Sequence, residues 1–332
     1  MKTIRFNFFL SLFLFISIPS IYAQSAVSTA PETSGVSLER LARYDDFLNK
    51  EVKEGHIAGA ISYIMRKNQV VHKAAYGYSD IENRSPMKED QIMHIMSMTK
   101  PIISVAFMML YEEGHFFLTD PVSKYLPQFK NLKVAKDVSE GVEGATEPAN
   151  SEVTIAQVLT HTAGFSHGLT NTKLDQEIRK ALYFEPHKNI EARIDKLVEL
   201  PMVSQPGEQW YYSTSPDILS VLIAHFSGMN TAEFLEERIF EPLGMKDTGY
   251  NIELADQNRW MPVHNINEEG KLVNSKNQLP LEGTTVYSGA FGLFSTAADY
   301  MTFCQMLLNK GELKGKRFLS RKTIDLMTTN HV

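Results

Sequence analysis

The sequence predicts a mixed α/β (α+β) fold in which a small antiparallel sheet precedes a large helical region. Two strand-like runs near the start, at 58–65 and 70–76, are separated by 67–69 (KNQ), which fits a hairpin turn. From about residue 97 to 245 the periodicity is mostly helical and is broken by loops. Strands followed by a run of helices are typical of an α+β protein.

The elements follow in order along the chain. A helix is predicted to open at Ser37, with apolar residues on one side, and to stop at Gly55. After the hairpin, a strong helix begins near Ser97 and is expected to end at Gly114, because glycine is common just after the last residue of a helix. The acidic, turn-rich segment 136–150 indicates a surface insertion. Further helices are predicted at 154–159, 190–200, 216–227, 231–240 and 296–308.

Composition excludes several classes of function. The chain has 332 residues, 43% of them hydrophobic and 22% charged, as in a folded globular protein. Its net charge of -6 argues against a nucleic-acid partner, which would require a basic face. The histidines lack zinc-ligand spacing and no phosphate loop or dinucleotide fingerprint occurs, so no metal or cofactor is predicted. The single cysteine, Cys304, is expected to pack in the core.

The N-terminus has the pattern of a secretory signal peptide. Lys2 and Arg5 precede an apolar run at 8–18, which is too short to span a bilayer comfortably. Cleavage is expected after Ala23, and the alternative is an uncleaved anchor helix. The mature protein is therefore expected in the periplasm or outside a bacterial cell, with no stable membrane span. The predicted layout is a signal peptide at 1–23, a flexible lead-in at 24–36 and one domain at 37–332.

Ser97 and Lys100 form the main candidate for catalytic chemistry. Three residues apart at the start of a helix, their side chains share one face. A serine hydroxyl is a weak nucleophile until a neighbouring base accepts its proton, and a lysine amine can do so when its pKa is lowered from about 10.4. Free N–H groups at the helix N-terminus suit a developing oxyanion. The alternative reading of Ser97 is an ordinary helix-capping serine.

Two other serine patterns compete with this pair. Ser85 and Lys88 have the same spacing but lie in a turn, where nothing holds the two side chains on one face. Residues 164–168 (GFSHG) match the Gly-x-Ser-x-Gly nucleophile elbow, which needs a strand before it and a helix after it. The preceding segment 154–159 has helical spacing instead, so Ser166 is not predicted to be the nucleophile.

Four segments in order resemble the serine β-lactamase and penicillin-binding-protein family, which includes class C β-lactamase-related hydrolases and esterases. They cover roughly residues 38–330. The segments are 94–101 (HIMSMTKP), 159–164 (LTHTAG), 206–213 (PGEQWYYS) and 289–300 (GAFGLFSTAADY). The resemblance implies a β-lactamase/transpeptidase-like fold, with an antiparallel sheet lobe and a large all-helical lobe.

The resemblance also implies residue roles. Ser97 would be the nucleophile, and Lys100 and Tyr212 would be the general base and acid, with the base undecided between them. The alternative for Tyr212 is a packed aromatic residue. Many family members carry Asn two positions after the tyrosine, where it contacts substrate. Thr214 stands there in this chain and is the predicted substrate-binding residue, which favours an ester over a β-lactam or peptide substrate.

The family's third motif, Lys-Thr-Gly or an equivalent, is expected on a strand after residue 332, because no such strand is evident before Val332. The chain is therefore expected to be incomplete at its C-terminus. Three functions remain open: an esterase or β-lactamase-like hydrolase, a cell-wall D-Ala carboxypeptidase or D-aminopeptidase, and a non-catalytic domain that binds peptidoglycan or a partner. The expected substrates are small-molecule esters, β-lactams or peptidoglycan-derived compounds.

Overall fold

The computed structural model describes residues 31–332. The predicted signal peptide and its cleavage site lie outside the described residues. The end of the predicted lead-in is ordered, because Pro31–Ser34 forms a short 3₁₀ turn. Ser34 is buried there, and its hydroxyl donates to Gln69 Oε1 at 2.6 Å. This hydrogen bond ties the segment to the first hairpin, so the lead-in is not uniformly flexible.

The described residues contain the predicted hairpin and helices together with further short helices and strands. The helices are α1 (Leu38–Lys53), α2 (Thr99–Glu112), α3 (Ile155–Leu159), α4 (Lys173–Arg179), α5 (Ile190–Glu199), α6 (Ser215–Ser227), α7 (Thr231–Leu235), α8 (Glu241–Leu243), α9 (Ala297–Leu308) and α10 (Arg321–Met327). The strands are β1 (Gly59–Arg66), β2 (Gln69–Asp80), β3 (Ser85–Pro86), β4 (Ile92–His94), β5 (Lys133–Ala135), β6 (Thr146–Pro148), β7 (Trp260–Met261), β8 (His264–Ile266), β9 (Leu272–Asn274), β10 (Phe294–Ser295), β11 (Glu312–Leu313) and β12 (Lys316–Arg317).

The predicted hairpin is confirmed as the antiparallel pair β1–β2, with β3 on the far side of β2. Lys67 and Asn68 connect the strands with φ values of 52° and 60°. Two successive positive φ angles are typical of the type I′ turn, whose twist matches that of the flanking strands. The predicted insertion contains β6, which pairs with β5, so it is partly a second hairpin.

A small mixed sheet positions the residues that precede Ser97. Its order is β10-β4-β7, and it pairs Phe294 with His94. Beyond the strands, the Ile95 N–H donates to the Leu293 carbonyl at 3.0 Å. The glycine-rich segment 289–296 is therefore held beside the start of α2, although the two are far apart in sequence.

Helices α2 and α6 pack against each other in the middle of the core. In α2, residues 102–110 are buried except Ser104, which is half-buried. A helix that is hydrophobic all round is expected at the centre of a large domain rather than at its surface. The predicted helix 231–240 is also divided, since α7 gives way to a π-helical turn at Glu236–Phe240.

Among residues 31–332, no single helix is long and apolar enough to cross a membrane, although Ser215–Ser227 and Thr231–Leu243 reach that length as a pair bent by 80°.

Candidate active site

Ser97 lies in a 3₁₀ turn, Met96–Met98, which leads directly into α2. Its side chain is exposed, whereas Thr99 two residues later is completely buried. Met96 adopts a φ of 50°, which is unusual for a residue with a side chain and is frequent at functional sites. The turn therefore presents one hydroxyl to solvent at the N-terminus of an otherwise buried helix.

The side chain of Lys100 comes up beside Ser97, as their spacing predicts. Its Nζ lies 3.2 Å from Ser97 Oγ and donates to the Ala290 carbonyl oxygen at 2.8 Å. Lys100 is only 8% exposed, so its amine is held among protein groups rather than in open solvent. The structure thus joins the predicted pair to the glycine-rich segment.

Tyr212 completes the group that the sequence predicts. Lys100 Nζ lies over its ring, 4.6 Å from the ring centroid. The Tyr212 ring also stacks with two imidazoles, with centroid distances of 5.1 Å to His161 and 5.6 Å to His167. Lys100 and Tyr212 are therefore brought together from α2 and from the loop before α6, and Ser97 stands beside them.

His161 and His167 are functional candidates that the sequence analysis missed. Burial lowers the pKa of each to about 4, and the nearby positive charge of Lys100 adds to this effect. Both rings are therefore neutral at physiological pH. The Ser213 N–H lies 3.2 Å from His161 Nδ1, and the Ser213 hydroxyl oxygen lies 2.9 Å from the same nitrogen. The two rings pack against Tyr212 without adding positive charge.

Thr214 does not line the open face of the site. It is 1% exposed, and its hydroxyl donates to Asp217 Oδ2 at 2.9 Å. Its predicted contact with substrate stays a prediction, but the structure gives the hydroxyl a different partner. In the sequence, Asp217 is marked only as a charged residue in the first turn of an apolar helix.

Ser166 is buried behind the site. Its hydroxyl donates to Asp175, and its Oγ accepts the Gly168 N–H at 2.8 Å. With a relative exposure of 1% it has no access to a substrate in solution. The Gly-x-Ser-x-Gly match in this chain is thus a hydrogen-bonded turn.

One possible metal-ligand group occurs in the described part of the chain. Glu51, Glu54 and His56 lie together near the end of α1, where they are exposed or half-buried. Exposed acidic groups of this kind are common without an ion, and none of the three touches Ser97 or Lys100. The predicted absence of a metal stays a prediction.

Comparison with known proteins identifies the family. The beta-lactamase family model matches residues 44–332. The chain belongs to the beta-lactamase family. It is 30% identical over 279 residues to an uncharacterized protein of Mycobacterium tuberculosis, covering 84% of this chain and 69% of that protein. It is 26% identical over 265 residues to the esterase EstB of Burkholderia gladioli, covering 77% of this chain and 63% of the esterase.

The fold agrees with solved structures of similar proteins. Unliganded simvastatin synthase LovD from Aspergillus terreus superposes with a TM-score of 0.71 at 21% identity, covering 89% of this chain and 74% of that one. The predicted β-lactamase/transpeptidase-like fold is therefore confirmed. This beta-lactamase-family chain is a serine hydrolase of a group that cleaves ester and amide bonds.

Proposed function

We propose that this chain cleaves carboxylic esters through an acyl-enzyme on Ser97. The observation that carries the proposal is the position of Lys100, whose Nζ lies 3.2 Å from Ser97 Oγ while the Ala290 carbonyl accepts one of its hydrogens at 2.8 Å. Once Lys100 has released a proton, the lone pair of its amine can turn towards the serine hydroxyl, because the Ala290 carbonyl accepts one of the remaining hydrogens. Ser97 is exposed, so an ester can reach it.

In the first step, Ser97 Oγ attacks the carbonyl carbon and the Lys100 amine accepts the hydroxyl proton. The carbonyl π electrons move to oxygen and give a tetrahedral oxyanion. The N-terminus of α2 supports this charge, because the positive end of the helix dipole favours a negative group. Lys100 becomes an ammonium ion, and the nearby neutral imidazoles do not oppose its charge.

In the second step, the oxyanion reforms the carbonyl and the bond to the alcohol oxygen breaks. We assign Tyr212 as the group that donates a proton to the leaving alkoxide and regains one from the Lys100 ammonium. Support comes from the 4.6 Å between Lys100 Nζ and the Tyr212 ring centroid. Water then attacks the acyl carbon by the reverse sequence of proton transfers, which releases the acid and restores Ser97.

An ester with an apolar acyl group is the substrate class that the surroundings of Ser97 support best. Met96, Met98 and Trp210 expose 42%, 46% and 54% of their surface, although large apolar side chains are usually buried. All three flank the proposed catalytic residues in sequence. Thr214, at the position of the family's amide-binding Asn, is turned towards Asp217 and offers nothing to a peptide amide.

The test is intact-mass analysis after exposure to a fluorophosphonate, and separately to a penicillin. The expected result is one fluorophosphonate adduct that is lost in Ser97→Ala and kept in the matched control Ser166→Ala. A stable or turned-over penicillin adduct on Ser97 would favour a β-lactamase or cell-wall enzyme over an esterase. Labelling that survives in Ser97→Ala would disprove the assignment of the nucleophile.

We also propose that the protein is exported and cleaved after Ala23. The proposal rests on the apolar run 8–18 that follows Lys2 and Arg5. Expression in a bacterial host with separation of periplasm and membranes tests it by mass. A periplasmic species beginning at Gln24 is expected, and Leu14→Arg is expected to block its formation. Full-length protein retained in the membrane fraction would contradict cleavage.

A further inference from the structure

A buried carboxylate lies behind the proposed catalytic lysine. Asp217 has no exposed surface, and both of its oxygens accept hydrogen bonds. Oδ1 accepts the Ser288 hydroxyl at 2.6 Å and the Ala290 N–H at 2.9 Å. Oδ2 accepts the Thr214 hydroxyl at 2.9 Å, and the Arg193 guanidinium lies 3.5 Å away. The carboxylate thus connects α6 to the glycine-rich segment.

Ala290 links this carboxylate to the lysine through its two backbone groups. Its N–H is bound by Asp217, and its carbonyl oxygen accepts a hydrogen bond from Lys100. We propose that Asp217 is a positioning residue, which holds the Ala290 carbonyl where it keeps Lys100 Nζ within reach of Ser97. This inference rests on the proposed roles of Ser97 and Lys100 and adds a residue that positions Lys100.

A carboxylate suits this position better than its neutral isostere. The groups that face it from α6, from the 288–290 segment and from α5 are all hydrogen-bond donors, and an asparagine amide can accept on only one of its two sides. Arg193, with a side chain 12% exposed, supplies the compensating positive charge. Asp217 also lies three residues after the N-cap of α6, where a negative charge is favoured.

Close backbone packing makes the contact between α6 and the glycine-rich segment rigid. A methyl group added to Gly289 would come within 2.1 Å of the Pro216 carbonyl oxygen and 2.8 Å of Ser220 Oγ. The glycine-rich segment therefore rests directly on the first turn of α6, with no side chain between them. A shift of Asp217 is expected to move Ala290 rather than to be absorbed by soft packing.

The test compares Asp217→Asn with Asp299→Asn. Asp299 is a matched control, because it also lies three residues after a helix N-cap and is 8% exposed. Its Oδ2 accepts the Asp247 N–H and the Thr248 hydroxyl, and neither of these donors touches Lys100. Both variants are assayed at a temperature where circular dichroism shows them folded, by steady-state hydrolysis of a chromogenic ester and by the rate of fluorophosphonate labelling.

Asp217→Asn is expected to lower kcat and the labelling rate about 100-fold with KM within about threefold, because misplacing a catalytic group by about 1 Å costs that much. Asp299→Asn is expected to leave both unchanged. Hydrogen–deuterium exchange of 288–293 is expected to rise only in Asp217→Asn. Equal effects of the two variants, or an effect on KM alone, would overturn the positioning role.

Two further results keep the inference testable. If Asp217→Asn does not fold, Ser288→Ala is used instead, because it removes one donor to Asp217 Oδ1. This variant is expected to lower kcat about tenfold, as the loss of one hydrogen bond to a charged group would. Unchanged kcat in Ser288→Ala would overturn the inference. If the unaltered protein is labelled normally but Asp217→Asn reacts at the same rate, the positioning role fails while the proposed function stands. No labelling of the unaltered protein would overturn both.

Discussion

Acidification is expected to destabilise the protein well above the pH at which its paired carboxylates titrate. Burial, followed by the charge of Lys100, lowers the pKa of His161 and of His167 from 6.5 to about 4. The unfolded chain therefore binds these protons first, and stability falls as pH drops from about 6.5 towards 4. At 1.36 kcal/mol per pKa unit, a shift from 6.5 to about 4 corresponds to roughly 3 kcal/mol for one ring.

Urea unfolding at several pH values between about 7 and 4.5 measures this loss, because the linear extrapolation gives a free energy at each pH. His167→Gln is the informative variant, since an amide can keep the 2.6 Å hydrogen bond to the Tyr183 hydroxyl without titrating. Its free energy is expected to depend on pH less steeply than that of the unaltered protein, because His161, His94 and His264 still contribute. Equal slopes in the two proteins, or a loss confined to pH below about 4, would refute the reasoning.

Three further outcomes are expected. Gly289→Ala places a methyl group 2.1 Å from the Pro216 carbonyl oxygen and is expected to lower stability by about 3 kcal/mol or prevent folding. Gly249→Ala is the control, because its methyl group would lie 3.6 Å from the nearest atom, and thermal melts are expected to show that it is tolerated. Ser166→Ala is expected to lower stability by about 1–3 kcal/mol and to leave ester hydrolysis within a few fold, while Ser97→Ala abolishes hydrolysis. Trp210→Ala is expected to lower kcat/KM for long-chain acyl esters several-fold more than for acetate esters; equal losses would contradict an apolar acyl site.

Local patterns predicted the elements that depend on local physics. The hairpin at β1–β2 follows from two apolar runs around a short polar turn, and α1 begins after the Ser37 cap as expected. The pair Ser97 and Lys100 follows from helical spacing, and the structure brings the two side chains within 3.2 Å. In each case the residues that decide the outcome are neighbours in sequence.

What the sequence could not predict depends on how loop side chains turn and on contacts between distant segments. Thr214 is directed towards Asp217 rather than to the open face, and no spacing rule indicates which way a loop side chain turns. The apolar character of α2 is visible in sequence, but its burial on all sides depends on where α6 packs. Likewise the low pKa of His161 results from burial and from Lys100, which lies 61 positions away in the numbering.

Backbone groups carry several of the hydrogen bonds that shape the site. Lys100 is held by a carbonyl, that carbonyl's residue is held through its N–H by Asp217, and His161 is oriented by the N–H of Ser213. Backbone partners place no demand on residue identity at the position that supplies them. The residues that bind them, Lys100, Asp217 and His161, carry the distinctive chemistry. In this fold, the buried polar side chains therefore indicate how the site residues are positioned better than the sequences of the loops that they hold.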